Sequence, residues 1–208
     1  MEQLIQIKKD GVVLEGMLKV PDKATGIVLF AHGSGSSRFS PRNNYVANVL
    51  YEGGLATLLI DLLSKEEDEE YQTRFDIDLL TERLSIVVNW LEQNAATKKL
   101  NIGLFGSSTG AAGALRVASE RSEIKAVVSR GGRPDLAMKV LLQVKAPTLI
   151  IVGGHDYGVI ELNKAAFEKL DCIKQFEIVP NATHLFEEPG ALEAVANTAK
   201  IWFLKFLS

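Results

Sequence analysis

Short apolar runs recur along the chain, separated by stretches in which apolar residues follow a helical period. Six runs are apolar at successive positions, which is typical of strands in a parallel sheet that helices cover on both faces. These predicted strands are residues 26–31, 56–60, 101–105, 126–129, 148–152 and 176–179. Ahead of them, apolar and polar residues alternate around Ile5 and Ile7 and again over 12–20, with Asp10-Gly11 between. This pattern predicts an antiparallel hairpin with a tight turn.

Between the predicted strands lie segments with apolar residues three and four apart, which indicate amphipathic helices. These predicted helices are residues 44–51, 75–92, 109–119, 159–170 and 191–207. Strands that alternate with helices predict an α/β fold with a mostly parallel, doubly wound sheet. We expect one domain over residues 1–208. The acidic run at 65–70 is predicted to be a solvated loop.

Composition narrows the function classes. The 208 residues carry a formal charge of −3, which gives no basic footprint for nucleic acid or an anionic membrane. The one cysteine, Cys172, excludes an internal disulfide and a cysteine-based zinc site. The first residues lack the layout of a signal peptide, and no apolar run approaches the ~18 residues of a membrane span. We therefore expect a cytoplasmic protein without metal or cofactor.

The strand predicted at 101–105 runs directly into Gly106-x-Ser108-x-Gly110, the nucleophile-elbow pattern. A strand that turns into a helix within two residues strains its apical residue. The residues two positions away on either side must then lack a β-carbon, or strand and helix collide. An ordinary strand-to-helix turn would explain the five residues alone. With the context below, the pattern predicts Ser108 as a nucleophile.

A glycine-rich loop, residues 31–37, follows the first parallel strand. Such a loop can direct backbone N–H groups at a developing oxyanion, and we expect the N–H of Ser34 to be one donor. The second donor would be the N–H of Thr109, the residue after the nucleophile. The competing interpretation is a phosphate-binding loop. However, Gly33-x-Gly35 lacks the third glycine of the dinucleotide fingerprint, and no helix pattern opens directly after it.

Residues that follow two further strands complete a candidate catalytic triad. Asp156 comes after the strand at 148–152, and His184 after the strand at 176–179. The chain order serine, acid, histidine is the order of α/β-hydrolases, with each member at a strand's carboxyl end. His184 would take the Ser108 proton and pass it to the leaving group. Asp156 would fix the imidazole tautomer and stabilise its cation.

Other histidines and carboxylates compete for these roles. His155 is adjacent to Asp156, and neighbours leaving a strand tend to point in opposite directions. His32 lies within the proposed oxyanion loop, where a structural hydrogen bond is favoured. Asp135 is the rival acid. Glu187 and Glu188 are too close to His184 in sequence to reach behind its ring easily.

Four segments resemble the α/β-hydrolase superfamily, and within it a small, capless group similar to dienelactone hydrolases. The matching segments are residues 32–38, 106–111, 129–136 and 182–189. The resemblance implies a three-layer α/β-hydrolase fold without a cap domain and a hydrolase activity. Dienelactone hydrolases proper use a cysteine nucleophile, whereas position 108 is serine. The departure favours a plain serine esterase over a lactone hydrolase.

The spacing of the later strands bears on the substrate. Only residues 130–146 separate two of them, which leaves room for one helix and none for a cap. An open, shallow site favours small esters with short acyl groups.

Arg130 leaves its strand at the same edge as Ser108. It is therefore either solvated or ion-paired, or it anchors an anion on the substrate. We expect a small-molecule ester as ligand, neither nucleic acid nor membrane as partner, and a monomer or weak homodimer. The alternatives are a lactone or thioester hydrolase and a non-catalytic binding protein of the same fold.

Overall fold

Eight strands form one sheet in the computed structural model, which describes residues 1–9 and 11–208. In chain order they are β1 (Glu2–Lys9), β2 (Val12–Lys19), β3 (Gly26–Ala31), β4 (Ala56–Ile60), β5 (Asn101–Ser107), β6 (Ile124–Arg130), β7 (Thr148–Gly153) and β8 (Lys174–Val179). Across the sheet the order is β1-β2-β4-β3-β5-β6-β7-β8. β2 pairs antiparallel with β1 and with β4, and all the other neighbouring pairs are parallel.

Helices cover both faces of the sheet. They are α1 (Pro41–Glu52), α2 (Lys65–Glu69), α3 (Ile77–Gln93), α4 (Thr109–Glu120), α5 (Tyr157–Lys169) and α6 (Ala191–Leu207). Helices α3, α4 and α5 pack on one face, and α1 and α6 on the other. The result is the predicted three-layer α/β arrangement, a mostly parallel sheet with an N-terminal antiparallel hairpin and no cap domain in the described chain.

Each central strand supplies both apolar layers because successive side chains point to opposite faces. In β3, Leu29 packs in the layer of α3–α5, and Phe30 packs in the layer of α1 and α6. The Phe30 ring lies 4.9 Å from that of Phe105, its neighbour on β5. A run that is apolar at every position therefore predicted a strand buried on both sides, and β3 is fully buried.

The observed elements extend most of the predicted ones by a few residues. α1 begins at Pro41, three residues before its predicted start, because the Ser40 side chain accepts a hydrogen bond from the Asn43 N–H and caps the helix. The turn predicted at Asp10-Gly11 lies partly outside the described residues. Gly11, which is described, has a φ of +81°, as such a turn requires.

One local prediction was wrong. The acidic run at 65–70 forms a short helix, α2, because Ser64 and Glu67 make a reciprocal capping box at its start. Glu67 also pairs with buried Arg83 of α3 at 2.9 Å, which ties this helix to the layer below. The segment after β6, where the spacing leaves room for one helix, holds two short 3-10 helices, Pro134–Ala137 and Leu141–Gln143.

The carboxyl ends of the parallel strands gather at one edge of the sheet. Six loops leave from this edge, one after each of the strands β3 to β8. The sequence-predicted site residues lie in these loops or directly beside them, since Arg130 ends β6 and Thr109 begins α4. This is the edge at which open α/β sheets bind their ligands. No helix in the described part of the chain is long and apolar enough to cross a bilayer.

Phe203 of α6 tests how the second layer is held. Its ring is fully buried against Gly103 of β5, where an added β-carbon would lie 2.8 Å from Phe203 Cε1. We expect Phe203→Ala to lower the free energy of unfolding by about 3–5 kcal/mol, because Gly103 has no side chain that could fill the cavity left by the ring. Urea denaturation measures the loss. Ile201→Ala on the same helix is the control, since Ile201 is 68% exposed; an equal loss there would contradict this account.

Candidate active site

Ser108 sits at the apex of a sharp turn between β5 and α4. Its φ is +49° and its ψ −122°, a region that non-glycine residues rarely adopt and that costs about 1–3 kcal/mol. The turn is held by hydrogen bonds on both sides: the Ser108 N–H donates to the Arg130 carbonyl at 3.3 Å, and the Arg133 N–H donates to the Ser108 carbonyl at 3.0 Å. The side chain therefore stands at the start of a 12-residue helix, beyond the end of the sheet.

The two glycines of the elbow are required by close backbone crossings. A β-carbon on Gly106 would lie 2.7 Å from the backbone nitrogen of Ala111, so strand and helix could not pack. One on Gly110 would collide with the carbonyl oxygen of Ala31 and lie 2.5 Å from that of His32. The elbow thus packs against the end of β3 as well as against its own helix.

Asp156 and His184 are brought together from neighbouring loops, after β7 and β8. His184 Nδ1 donates to Asp156 Oδ2 at 2.6 Å, with the carboxylate largely buried and the ring 39% exposed. A carboxylate in this position fixes the tautomer that leaves Nε2 free to accept a proton. In the described chain the Ser108 hydroxyl makes no hydrogen bond to this ring, although both side chains line one cavity.

The competing residues are engaged elsewhere. Asp135, the rival acid, is held by a two-pronged pair with Arg133 at 2.9 Å for each bond, which raises the pKa of Arg133. His155 is exposed and contacts Tyr157. His32 is buried, and burial lowers its pKa below the usual value.

His32 has the structural role that the sequence predicted. Its Nε2 accepts a hydrogen bond from the Leu62 N–H at 3.0 Å, so its Nδ1 carries the proton and donates to the Gly33 carbonyl at 3.0 Å. The neutral ring thereby ties the loop after β3 to the loop after β4. The loop after β3 is the one predicted to carry an oxyanion donor.

The loop that carries His184 is fixed at three points. Phe186 is buried with a φ of +56°, and its ring anchors the loop in the layer of α1 and α6. Glu187 pairs with Arg42 of α1 at 3.0 Å. Glu188 accepts a hydrogen bond from the Thr183 N–H at 3.0 Å, which lowers the pKa of its carboxyl group.

The loop after β3 lies directly against the nucleophile. A hydrogen bond from the Ser36 N–H to the Gly33 carbonyl closes a turn, and Gly35 supplies the positive φ of +65°. A β-carbon on Gly33 would lie 2.9 Å from Ser108 Cβ. In the described hydrogen-bond network, the backbone N–H groups of Ser34 and Thr109 have no acceptor. α1 begins at Pro41, so no helix opens on this loop as a nucleotide-binding loop would need.

Loop, elbow and histidine enclose a cavity of about 190 Å³. Its lining is polar and consists of Gly33, Ser34, Ser36, Ser40, Arg42, Ser107, Ser108, Arg130, His184 and Leu185. Among the described residues that line it there are two guanidinium groups and no carboxylate. A small polar substrate group fits this space better than a long acyl chain.

Arg130 lines the cavity but is not solvated, and it pairs with no carboxylate of the described residues, unlike Arg133. Only 6% exposed, it donates from Nη2 to Ser107 Oγ at 2.9 Å and to Asn43 Oδ1 at 3.1 Å. Ser107 Oγ in turn donates to Asn43 Oδ1 at 3.1 Å. Burial, and secondarily the charge of Arg42, lower the pKa of Arg130 to about 10. Of the alternatives that the sequence leaves open for Arg130, solvation and pairing with a carboxylate of the described chain are therefore wrong.

The sequence analysis did not identify Asn43 or Arg42 as site residues. A signal for Asn43 was present, because it stands three, four and seven residues before Val46, Ala47 and Leu50, on the buried face of α1. A polar residue on an apolar helical face indicates a buried hydrogen-bonding role. The predicted helix begins at residue 44 and therefore does not include Asn43.

The sheet order, the strained serine between two glycines and the acid–histidine pair on adjacent loops define an α/β-hydrolase. A sequence model of the dienelactone hydrolase family matches residues 14–207, and the chain belongs to this family. The resemblance seen in the sequence motifs is thereby confirmed.

The relatives differ in what they are called. The chain is 52% identical over 207 residues to a Mycobacterium tuberculosis protein with the provisional name phosphoribosyl transferase. That match covers 99% of this chain and 47% of the relative, so the chain spans about half the length of that protein. A crystal structure of a dienelactone hydrolase from Anabaena variabilis is 56% identical, with a TM-score of 0.97 over 100% of this chain and 99% of that one. An esterase domain from Rhodothermus marinus shares the fold at 19% identity, with a TM-score of 0.81 and full coverage of both chains.

Gly110 provides a test of the elbow. We expect Gly110→Ala to destabilise the protein by several kcal/mol or to prevent folding, because its methyl group would collide with the backbone of β3, which cannot yield. Gly158→Ala is the matched control. Gly158 lies in α5 with nothing within 4 Å of an added β-carbon, and alanine there should stabilise the helix by about 0.4–1 kcal/mol. Thermal unfolding of both variants measures the contrast, and equal behaviour would refute the crossing constraint.

Proposed function

We propose that this protein is a serine hydrolase that cleaves small carboxylic esters through an acyl-enzyme intermediate. One observation carries the proposal. Ser108, strained at the apex of the elbow, shares one small polar cavity with His184, whose ring is hydrogen-bonded to Asp156 at 2.6 Å. Nucleophile, base and orienting acid are the three roles that acyl transfer needs. The membership of the dienelactone hydrolase family and the 56% identical structure support hydrolase chemistry.

In the proposed reaction, His184 Nε2 takes the Ser108 proton as Oγ attacks the ester carbonyl carbon. The carbonyl oxygen becomes an oxyanion, which the N–H groups of Ser34 and Thr109 would stabilise. Two observations support this assignment. Neither backbone N–H group has an acceptor in the described hydrogen-bond network, and Gly33 lies against Ser108. His184 then returns the proton to the leaving alcohol as the carbon–oxygen bond breaks. Water, activated by the same ring, hydrolyses the acyl-enzyme and restores Ser108.

A lactone or thioester hydrolase is the second candidate. The name of the 56% identical structure, dienelactone hydrolase, favours the lactone. Serine in place of cysteine favours the plain ester. Comparing hydrolysis rates for a lactone, a thioester and an oxygen ester of matched acyl length separates the three. The name of the mycobacterial relative is not carried over, because about half of that protein lies outside the match. The cytoplasmic location and the monomeric or weakly dimeric state stay predictions.

Labelling by a fluorophosphonate probe separates an enzyme from a non-catalytic binding protein. We expect the folded protein to be labelled at Ser108, because the probe reacts with an activated serine hydroxyl. Ser108→Ala should abolish both labelling and ester hydrolysis, with losses near 10⁴–10⁶-fold in rate as in comparable enzymes. Ser107→Ala is a neighbouring serine variant that should still be labelled. Intact, folded protein without any labelling would favour the binding protein.

The identity of the acid is tested by a matched pair of substitutions. Asp156→Asn should lower kcat by orders of magnitude, up to about 10⁴-fold, because an amide favours the wrong tautomer of His184. Asp135→Asn should cost little in rate, since Asp135 contacts Arg133 and not the histidine. Steady-state hydrolysis of p-nitrophenyl acetate measures both. A larger loss in the Asp135 variant would show that the acid is misassigned.

A further inference from the structure

Asn163 lies in the middle of the buried face of α5. The buried residues described in this helix are Ile160, Asn163 and Ala166, and Asn163 is fully buried. Asparagine is a poorer helix former than alanine, and burying its amide costs free energy unless hydrogen bonds compensate it. An apolar side chain would suit this position better if it served only to pack the helix on the sheet. The asparagine therefore indicates a specific hydrogen-bonding role.

The amide of Asn163 faces two carbonyl groups. Its Nδ2 donates to the Val159 carbonyl at 2.8 Å, within α5, and to the Gly132 carbonyl at 2.9 Å, in the loop after β6. Two acceptors need two N–H donors, and only the NH2 end of the side chain supplies them, so the orientation of the amide is fixed. The bond to Gly132 ties α5 to a loop 31 residues earlier in the chain.

The peptide unit that Asn163 holds also holds Ser108. The Gly132 carbonyl and the Arg133 N–H belong to one planar peptide group. That N–H donates to the Ser108 carbonyl at 3.0 Å, next to the residue's strained φ of +49°. Strained backbone persists only where its surroundings over-determine it. By fixing the plane of this peptide group, the Asn163 amide fixes the direction of the N–H that holds the elbow.

The same loop and the same helix also contact the histidine and its acid. An added β-carbon on Gly131 would lie 3.3 Å from the His184 carbonyl oxygen and 3.5 Å from His184 Cε1. α5 begins directly after Asp156, which is hydrogen-bonded to His184, and Asn163 follows Asp156 by about two helical turns. One helix therefore carries the acid and, through the peptide group after Gly132, contacts the turn of the serine.

We propose that Asn163 is a positioning residue, which fixes Ser108 relative to the pair of Asp156 and His184 through the peptide group between Gly132 and Arg133. The inference rests on the proposed hydrolase function for its effect on rate, and on the hydrogen bonds alone for its effect on the loop. Asn163 is not among the described residues that line the catalytic cavity. Its loss should therefore slow the reaction without weakening the binding of substrate.

Asn163→Ser separates the two hydrogen bonds of the amide. A serine in a helix donates to the carbonyl four residues earlier, here that of Val159, but its side chain is too short to reach Gly132. We expect the rate constant of acylation to fall about ten- to a hundred-fold, because a small misplacement of reacting groups costs that much. The dissociation constant of the substrate should stay within about two-fold, since the cavity lining is unchanged.

Single-turnover hydrolysis of p-nitrophenyl acetate with the protein in excess measures both constants. The rate constant is expressed per Ser108 that a fluorophosphonate probe labels at the end point, so that unfolded protein does not count. If Asn163→Ser does not fold, Asn163→Thr replaces it, because threonine makes the same bond within the helix and fills more of the space.

Ile160→Ala is the matched control. Ile160 lies on the same buried face of α5, is 8% exposed and has no hydrogen-bonding group in its side chain. We expect this variant to lower the unfolding temperature at least as much as Asn163→Ser does, and to leave the acylation rate per labelled site unchanged. If Asn163→Ser keeps the rate of the unmodified protein, or Ile160→Ala lowers it equally, Asn163 only stabilises the fold and the proposal is wrong.

Amide hydrogen exchange tests the loop without catalysis. We expect Asn163→Ser to speed exchange of the Arg133 N–H about five-fold or more relative to Ile160→Ala, because the peptide group loses the bond that fixes it. Unchanged exchange at Arg133 would overturn the proposal whether or not the protein is a hydrolase. An unmodified protein that is neither labelled at Ser108 nor active on esters would refute the proposed function instead, and the exchange rates would still decide the role of Asn163.

Discussion

The backbone at the start of α4 is in direct contact with the backbone at the end of β3, and the rest of the site depends on that contact. Gly110 approaches the carbonyl oxygens of Ala31 and His32 so closely that no side chain fits between. The crossing sets the position of Ser108 relative to the loop that follows β3. It also holds Ser108 in a strained conformation, whose cost of about 1–3 kcal/mol is offset by the packing of two buried strands and a helix.

The remaining parts of the site are held by hydrogen bonds between loops. His32 links the loop after β3 to the loop after β4, and Asp156 links the loop after β7 to His184. The first link needs a neutral ring with its proton on Nδ1, and the second needs a proton on Nδ1 of His184. Polar side chains of the site thus bridge loops that leave neighbouring strands at the same edge of the sheet.

Arg130, the last residue of β6, and Arg133, three residues later, differ in their ion pairing. Arg133 is neutralised by Asp135 two residues away, so it holds its own loop in shape. Arg130 is buried beside Ser107 and Asn43 and pairs with no carboxylate among the described residues, although it lines the cavity. The end of β6 and the loop after it therefore hold one arginine with a counter-ion and one whose hydrogen-bond partners are neutral.

The order of strands and helices, the burial of β3 on both faces and the elbow around Ser108 were all readable from the sequence. Each follows from local rules: period-two and 3.6-residue patterns, and the need for glycine two residues on either side of a strained serine. The capping box that makes residues 65–69 a helix is equally local. The sequence analysis nevertheless predicted a solvated loop there, because the run of charged residues favoured one.

Which groups meet across the cavity was decided by the tertiary structure. Pairing between residues far apart in the chain depends on how the loops pack, and sequence spacing does not encode it. The contact between Asp156 and His184 agreed with the chain order of a known constellation, so the sequence could suggest it. Nothing in the sequence joins Asn43 of α1 to Arg130 of β6, 87 residues later. Only the packing of α1 on the sheet shows that this arginine has neutral partners and, within residues 1–9 and 11–208, no counter-ion.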